Sequence, residues 1–329
     1  MSDTASPAGV VVGLNAVIVA VTDERPRILI VDAATSTAGE VVADALPFGP
    51  LDPAADRTLE LALRRWVRGQ AGIEVGYVEQ LYTFGDKNRD PREREGGPRV
   101  LSIGYLSLVR EDQVTTAAGS RWHDWYAYLP WEDWRHGRPA VLDALAPAFE
   151  RWVAAADDVS ARRLRRERVD IAFGLHGAPW DGYRVLDRYE LVYEAEQAAE
   201  AWIDRGVPVP GAVHEVGRSM RADHRRILAT AMSRLRGKIK YRPVVFELLP
   251  PTFTLLQLQR VVEALAGQPL HKQNFRRLVE KGGLVEGTGK TADTGGRPAE
   301  LFHFRREVLR ERPTPGVGLP GLPQIADRG

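Results

Sequence analysis

The chain has 329 residues, more than one typical hydrophobic core accommodates, so its length predicts two or three domains. It has no cysteine, which excludes disulfides and thiolate metal sites, and it shows neither an apolar run of about 18 residues nor a signal-peptide pattern at residues 1–8; we therefore expect a cytoplasmic protein without a membrane span. The net charge of +1 divides into −10 for residues 1–217 and +11 for residues 218–312, which favours a polyanionic partner for the second part.

The first part of the chain has the pattern of a mixed α/β domain, which we place at residues 8–155. Apolar or alternating runs predict four strands, at residues 10–21, 28–31, 99–110 and 122–129. Residues 59–70 show helical spacing and are followed by Gly72, a residue typical of helix ends. The charged, turn-rich segment 87–98 is predicted to be a loop that can border a pocket.

Residues 156–221 predict a helical insertion or linker. Within them, residues 187–205 carry apolar side chains at helical spacing and are predicted as one helix. Residues 206–217 contain two prolines and are predicted as a linker. The arginine-rich segment 162–168 is interpreted as the solvated face of a helix.

The C-terminal unit, which we place at residues 222–312, starts with a strong amphipathic helix at residues 223–240, whose apolar stripe suits a core or a partner chain. The pattern then predicts, in order, a short strand at 244–249, a helix at 254–266, a helix at 270–281, and paired strands at 284–285 and 300–304. Helix, short turn, helix and β-hairpin is the order of a winged helix-turn-helix. Residues 313–329 are rich in Pro and Gly and are predicted to be disordered.

The second helix of this unit is predicted to present a DNA-reading face. Phe275, Leu278 and Val279 fall on its inner side at about 100° per residue. The outward side suits base edges and phosphates, and we expect DNA contacts from Lys272, Gln273, Asn274, Arg276 and Arg277. In the hairpin tip, Arg297 follows two glycines and suits a phosphate or the minor groove. Two alternatives stay open: a solvated charged helix, and docking of the basic part of the chain onto the acidic part.

Residues 46–49 and 65–73 resemble the Nudix box, whose glutamates hold the Mg²⁺ ions that activate water. The arginine of the box falls on Arg65. The positions of its three glutamates fall on residues without a carboxylate, Trp66, Gly69 and Gln70. We therefore expect neither a metal site nor catalysis. The alternative is a Nudix hydrolase in which an altered site takes its metal ligand from Glu60, Asp56 or Glu74.

Longer motifs resemble the NrtR family of transcriptional regulators. The similar segments are residues 246–267, 274–280 and 295–304 in its winged helix, and residues 83–92 and 99–109 in its Nudix-like domain. The resemblance implies an α+β multidomain fold, with an N-terminal Nudix-like α/β/α sandwich, a helical insertion and a C-terminal winged helix-turn-helix. It also implies a homodimer that represses genes of NAD metabolism and binds ADP-ribose. Because the box glutamates are replaced, we expect this binding to proceed without hydrolysis, and we expect no required cofactor. Residues Asn274, Arg276, Arg277 and Arg297 would then contact double-stranded DNA.

A small nucleotide effector needs cations for its diphosphate and an aromatic ring for its base. For the diphosphate we predict Arg65, Arg89 and Arg99, and for stacking on adenine Phe84, with Trp125 or Tyr126 as alternatives. Each side chain also has a structural interpretation, as an ion-pair partner, a loop charge or a core aromatic residue. A third class of function, an interaction scaffold without DNA or nucleotide binding, also remains open.

Overall fold

The computed structural model describes residues 9–32, 44–86, 93, 96–114, 117–293, 298–312 and 315–317. The N-terminal half is built on one mixed sheet. Its strands are β1 (Val10–Thr22), β2 (Arg25–Asp32), β3 (Asp44–Ala45), β4 (Phe48–Pro50), β5 (Tyr77–Phe84), β6 (Arg99–Leu108) and β7 (Ser120–Asp124). The order along the sheet is β3-β2-β1-β6-β5, with β4 paired to β1 and β7 paired to β2. Strands β1 and β6 run parallel, and the other pairs are antiparallel.

Nine α-helices lie in the described part of the chain. They are α1 (Leu59–Ala71), α2 (Val141–Ala154), α3 (Val159–Phe173), α4 (Val185–Glu194), α5 (Ala199–Ile203), α6 (His224–Ile239), α7 (Leu255–Ala266), α8 (Lys272–Gly282) and α9 (Val308–Glu311). None of these helices has the length and apolar character needed to cross a membrane.

Alternate residues of β1 face opposite sides of the sheet, as the pleat of a strand requires. Ala16 and Ile18 pack with α1, whereas Val17 packs in the larger core cluster that contains the apolar side of α6. The predicted α/β/α sandwich is confirmed. Its second helical layer is α6, the helix that we predicted as the start of the C-terminal unit.

The strand predicted at residues 122–129 is correct only in its first half. Strand β7 ends at Asp124, whose carboxylate accepts a hydrogen bond from Tyr126 N at 2.8 Å and caps a 3-10 turn over Trp125–Ala127. The apolar residues that suggested a strand are buried in this turn. The apolar pattern of residues 125–129 therefore reflects burial of these side chains and not an extended backbone.

The single helix predicted at residues 187–205 is wrong, because α4 and α5 are separate. Glu196 adopts φ +60°, and Gln197 N donates to Val192 O at 2.8 Å to close the end of α4. The break brings Glu200 into the core, where its carboxylate lies 3.1 Å from the guanidinium of buried Arg225. A tertiary ion pair thus outweighs the local preference for a continuous helix.

The short strand predicted at residues 244–249 is also wrong, since Val244–Leu248 forms a 3-10 turn. The turn starts after Pro243, whose carbonyl accepts a hydrogen bond from Phe246 N at 3.2 Å. Its apolar side chains Val244, Val245 and Leu248 are buried under the winged helix.

The rest of the winged helix follows the sequence prediction. Helix α7 starts with the predicted capping box between Thr254 and Gln257 and ends at Gly267. Helix α8 follows, and β8 (Val285–Ala292) pairs with β9 (Ala299–Phe304) as the hairpin. Of the tail predicted to be disordered, the structure describes residues 315–317; Val317 is buried and donates its N–H to Ile239 O at 2.9 Å, so these three residues depart from the prediction.

One buried carboxylate joins three parts of the chain. Glu132 lies 2.5 Å from Arg188 of α4 and 2.5 Å from Arg236 of α6, and all three side chains are essentially inaccessible to solvent. Arg236 also donates to Leu265 O of α7 at 3.0 Å. Burial alone would raise the pKa of Glu132, but the two guanidiniums outweigh it and hold that pKa below its ordinary value. The sheet domain, the insertion and the winged helix therefore meet at this ionised group.

Gly267, at the end of α7, sits at the same junction with φ +71°. A Cβ at this position would lie 2.3 Å from Glu132 O, whereas a Cβ at Gly283, which has φ +57°, would lie 3.4 Å from an Arg305 nitrogen. We expect Gly267→Ala to lower the free energy of unfolding by more than Gly283→Ala, which carries only the left-handed backbone cost of about 1–2 kcal/mol. Urea unfolding of both variants measures the difference. Equal losses of unfolding free energy in the two variants would contradict close packing of Gly267 against Glu132.

Candidate functional site

Helix α8 places the predicted DNA-reading side chains on one exposed face. Phe275 and Val279 are fully buried, and Leu278 is partly buried against the winged helix. The opposite face is solvent-exposed and carries the predicted Lys272, Gln273, Asn274, Arg276 and Arg277. The predicted orientation of the helix is therefore confirmed, while contact of these side chains with DNA stays a prediction.

The basic residues of α6 and those of α8 differ in their partners. Four cations of α6 pair with carboxylates of the acidic half: Arg225 with Glu200, Arg226 with Glu190, Arg236 with Glu132, and Lys238 with Glu79. Those of α8 form no ion pair within the described residues; the one polar contact of Arg277 is a long one, 3.5 Å to Asn274. Docking of the basic part onto the acidic part thus accounts for these four cations of α6. The cations of α8 form no ion pair with the described residues, so docking does not account for them.

The hairpin that follows α8 is held by the segment before α7, through contacts of strand β9. Phe302 of β9 forms a two-way backbone bridge with Phe253, and the rings of Phe246 and Phe304 stack at 4.3 Å. The predicted Arg297 lies outside the described residues. Its role at the hairpin tip remains a prediction.

A cavity of about 330 Å³ opens between β1, β4, β6 and the segment before α6. Two hydrogen bonds hold that segment against the sheet: Arg221 N donates to Asp44 O at 3.0 Å, and Leu46 N donates to the side-chain Nδ1 of His224 at 3.0 Å. The walls are mostly apolar or backbone, with polar side chains at a few points. They consist of Val11, Gly13, Leu14, Asn15, Phe48, Gly49, Pro50, Val100, Ser102, Arg221, Ala222 and His224.

Three polar side chains of the cavity, Asn15, Ser102 and Arg221, are available to a ligand. Asn15 and Ser102 are more than nine-tenths buried, and neither side chain has a hydrogen-bond partner among the residues that the structure describes. The guanidinium of Arg221 lies 5.0 Å from the ring centroid of Phe48 and forms no ion pair within the same residues. The His224 ring makes an edge contact with the Phe48 ring, with 5.4 Å between the two ring centroids. A cation, an aromatic face and buried amide and hydroxyl groups together suit a nucleotide.

The predicted ligand residues lie elsewhere. Arg65 is 48% exposed in its side chain and pairs with Asp56 at 2.7 Å. Arg99 donates to Gly85 O at 2.6 Å, and Phe84 is buried with 6% of its surface exposed. None of these three side chains lines the cavity, and Arg89 lies outside the described residues. The alternative stacking residues, Trp125 and Tyr126, are buried at the junction with α7. There the Tyr126 hydroxyl donates a hydrogen bond to Ala264 O.

Sequence reasoning missed the cavity residues for an identifiable reason. Asn15 is the single amide within an otherwise apolar strand, which was a usable signal. Phe48 and Arg221 gave no such signal, because only the pairing of residues 44–46 with residues 220–224 brings them together.

The positions of the box glutamates carry no metal ligand. Gln70 and Trp66 hydrogen-bond to the backbone of β4, and Gly69 has no side chain. The carboxylates considered for an altered site are engaged in ion pairs: Glu60 with Arg64, Asp56 with Arg65, and Glu74 with Arg68. Within the described ranges, no three or more His, Asp or Glu side chains gather as a metal would require. The residues present do not fit the Mg²⁺ cluster of a Nudix enzyme.

Comparisons with known proteins identify the C-terminal module. Residues 245–304 match the family model of the NrtR DNA-binding winged helix domain. A curated relative, the ADPR-responsive transcriptional repressor NtrR of Acinetobacter baylyi, is 40% identical over 82 residues, which are 25% of this chain and 33% of the relative. The match thus spans about a third of the length of that relative.

Solved structures show the same arrangement over nearly the whole chain. NrtR of Shewanella oneidensis, crystallised with a 27mer DNA, has a TM-score of 0.55 at 19% identity, covering 91% of this chain and 95% of that one. A MutT/nudix family protein of Enterococcus faecalis has a TM-score of 0.52 at 13% identity, covering 93% and 89%. Residues 245–304 therefore match the NrtR DNA-binding winged helix domain, the fold of the chain is that of a Nudix-like domain followed by a winged helix, and the resemblance to the NrtR family is confirmed.

Proposed function

We propose that this protein is a DNA-binding transcriptional regulator, and specifically a repressor of genes of NAD metabolism. The observation that carries the proposal is the exposed cationic face of α8, whose arginines are left unpaired within the described residues in a domain of the NrtR winged helix type. Two recognition helices of a homodimer would read two half-sites of duplex DNA. Such a regulator acts where the DNA is, in agreement with the expected cytoplasmic location.

We further propose that the Nudix-fold domain senses ADP-ribose or a related nucleotide without hydrolysing it. The cavity supplies a guanidinium that forms no ion pair with the described residues, an aromatic wall and two buried polar side chains. The box positions supply no carboxylate for a metal. An effector site without catalysis is the function that this chemistry supports best.

Helix α6 is the proposed connection between the cavity and the winged helix. Arg221 and Ala222, just before its start, and His224, its first residue, line the cavity. Arg236, near its end, bonds to α7 and to Glu132. The apolar side of α6 packs in the same core cluster as residues of β1 and β6, so we treat it as a rigid connection in this proposal. A ligand that displaces Arg221 would shift the start of α6 and, through it, the orientation of α7 and α8. The ligand would then contact the two orientations differently, as allosteric coupling requires.

Substitutions in the cavity test the sensing role. We expect Arg221→Ala and Asn15→Ala each to weaken ADP-ribose binding by about 5- to 150-fold, since each removes a buried or charge-assisted hydrogen bond of about 1–3 kcal/mol. Calorimetric titration of the full chain measures the affinity. Arg65→Ala is the matched control, because its guanidinium lies outside the cavity. Unchanged affinity in both cavity variants, with loss in the control, would place the ligand elsewhere.

A further inference from the structure

Strand β4, which forms one wall of the cavity, has two polar edges. One edge pairs with β1 in the register Gly13↔Pro50, Leu14↔Gly49 and Asn15↔Phe48. The other edge presents the N–H and C=O of Phe48 and the C=O of Pro50, and proline contributes no N–H. Backbone groups at such an edge need partners, because leaving one buried without a hydrogen bond is costly.

Two side chains of α1 satisfy this outer edge. Gln70 Oε1 accepts from Phe48 N at 2.9 Å, and Gln70 Nε2 donates to Phe48 O at 2.7 Å. Trp66 Nε1 donates to Pro50 O at 2.8 Å. The indole also covers Gly49, where a Cβ would lie 2.1 Å from it. Helix α1 therefore clamps β4 through three hydrogen bonds and one close packing contact.

The chemistry of the clamp depends on the residue types at these two positions. A carboxamide offers one donor and one acceptor, as the N–H and C=O of Phe48 require. A carboxylate at position 70 would offer acceptors only and would face the Phe48 carbonyl without a proton. A glutamate at position 66 would have no donor for Pro50 O. Two of the three residues at the positions of the box glutamates, Trp66 and Gln70, are thus those that β4 needs.

The clamp fixes the side chain that closes one side of the cavity. Phe48 lies between Gln70 and the cavity, and its ring meets Arg221 and His224. We propose that Gln70 and Trp66 are positioning residues for ligand binding: they hold Phe48–Pro50 against α1 so that the aromatic wall is formed before the nucleotide arrives. This inference rests on the proposed sensing function. It gives the altered box a role in recognition rather than in catalysis.

Gln70→Glu in the full chain is the sharpest test, because it changes one group of nearly equal size. We expect ADP-ribose to bind about tenfold more weakly, as loss of one buried hydrogen bond predicts. Gln70→Ala is expected to have a similar effect without introducing charge. Arg68→Ala, on the same helix and 67% exposed in its side chain, is the control and is expected to bind as the wild type does.

A double-mutant cycle separates positioning from a general effect on stability. If Gln70 acts through Phe48, Gln70→Ala adds little once Phe48→Ala is present, so the two losses are not additive. Additive losses, or wild-type affinity in Gln70→Glu while Phe48→Ala binds weakly, would overturn the inference. Failure of the wild type itself to bind ADP-ribose would instead refute the proposed sensing function, and the ligand role of the clamp with it.

Discussion

Replacing Glu132 by glutamine is expected to lower the free energy of unfolding by about 3–5 kcal/mol, the cost of breaking a buried ion pair from one side. The substitution keeps the size of the side chain but leaves Arg188 and Arg236 buried without their shared anion. Glu150→Gln is the matched control. Its carboxylate pairs with Arg166 at the exposed surface, where loss of the pair costs at most about 1 kcal/mol. Urea unfolding measures both changes.

The pH dependence of the unfolding free energy provides a second test of the role of Glu132. The pKa of Glu132 is lowered in the folded state, so its stabilising contribution is present above the ordinary glutamate pKa and is lost as the pH falls through the lowered folded value. The difference in stability between wild type and Glu132→Gln should therefore be constant near neutral pH and shrink in acid. A difference that does not change with acidification would show that Glu132 is not the ionised centre of the junction.

Arg276→Ala and Arg277→Ala are each expected to weaken binding of a specific DNA site by about 1–3 kcal/mol, or about 5- to 150-fold. Both guanidiniums are exposed on α8 and free of ion pairs in the described part of the chain, so the loss reflects missing contacts with DNA. If they read base edges, discrimination between specific and unrelated sequences should fall as well. Mobility shifts on the DNA upstream of its own gene, at fixed salt concentration, measure the effect.

Arg163→Ala is the control for net charge alone. Arg163 is exposed on α3 and likewise lacks an ion pair within the described residues, yet it lies outside the winged helix. We expect it to bind DNA nearly as the wild type does. An equal loss from all three variants would indicate a diffuse electrostatic effect and contradict recognition by α8.

Local signals in the sequence predicted the elements that local chemistry determines. The capping box of Thr254 and Gln257 and the αL glycines Gly267 and Gly283 act within one or two helical turns, so the pattern alone located α7 and α8. The inward position of Phe275 followed from helical geometry in the same way. The exposed face of the recognition helix could therefore be predicted before the fold was known.

The parts that the sequence did not predict depend on distant partners. Arg225 and Arg236 lie on a helix whose cations would ordinarily be solvated, and they are buried because Glu200 and Glu132 reach them from other elements. The cavity likewise collects Asn15, Ser102 and Arg221 from separate segments. The pattern of residues along the chain does not indicate which distant residues pair. For the same reason it did not predict that Phe84, the expected ligand residue, packs in the core.

We propose that the nucleotide cavity controls the DNA-reading face of α8 through α6. Titration of ADP-ribose into the wild-type protein on its DNA site, with DNA affinity measured at each concentration, tests this claim most directly. We predict that DNA affinity changes by about 5- to 150-fold at saturation, and that DNA changes ADP-ribose affinity by the same factor, as linkage requires. DNA affinity that stays constant while ADP-ribose fills the cavity would contradict the claim.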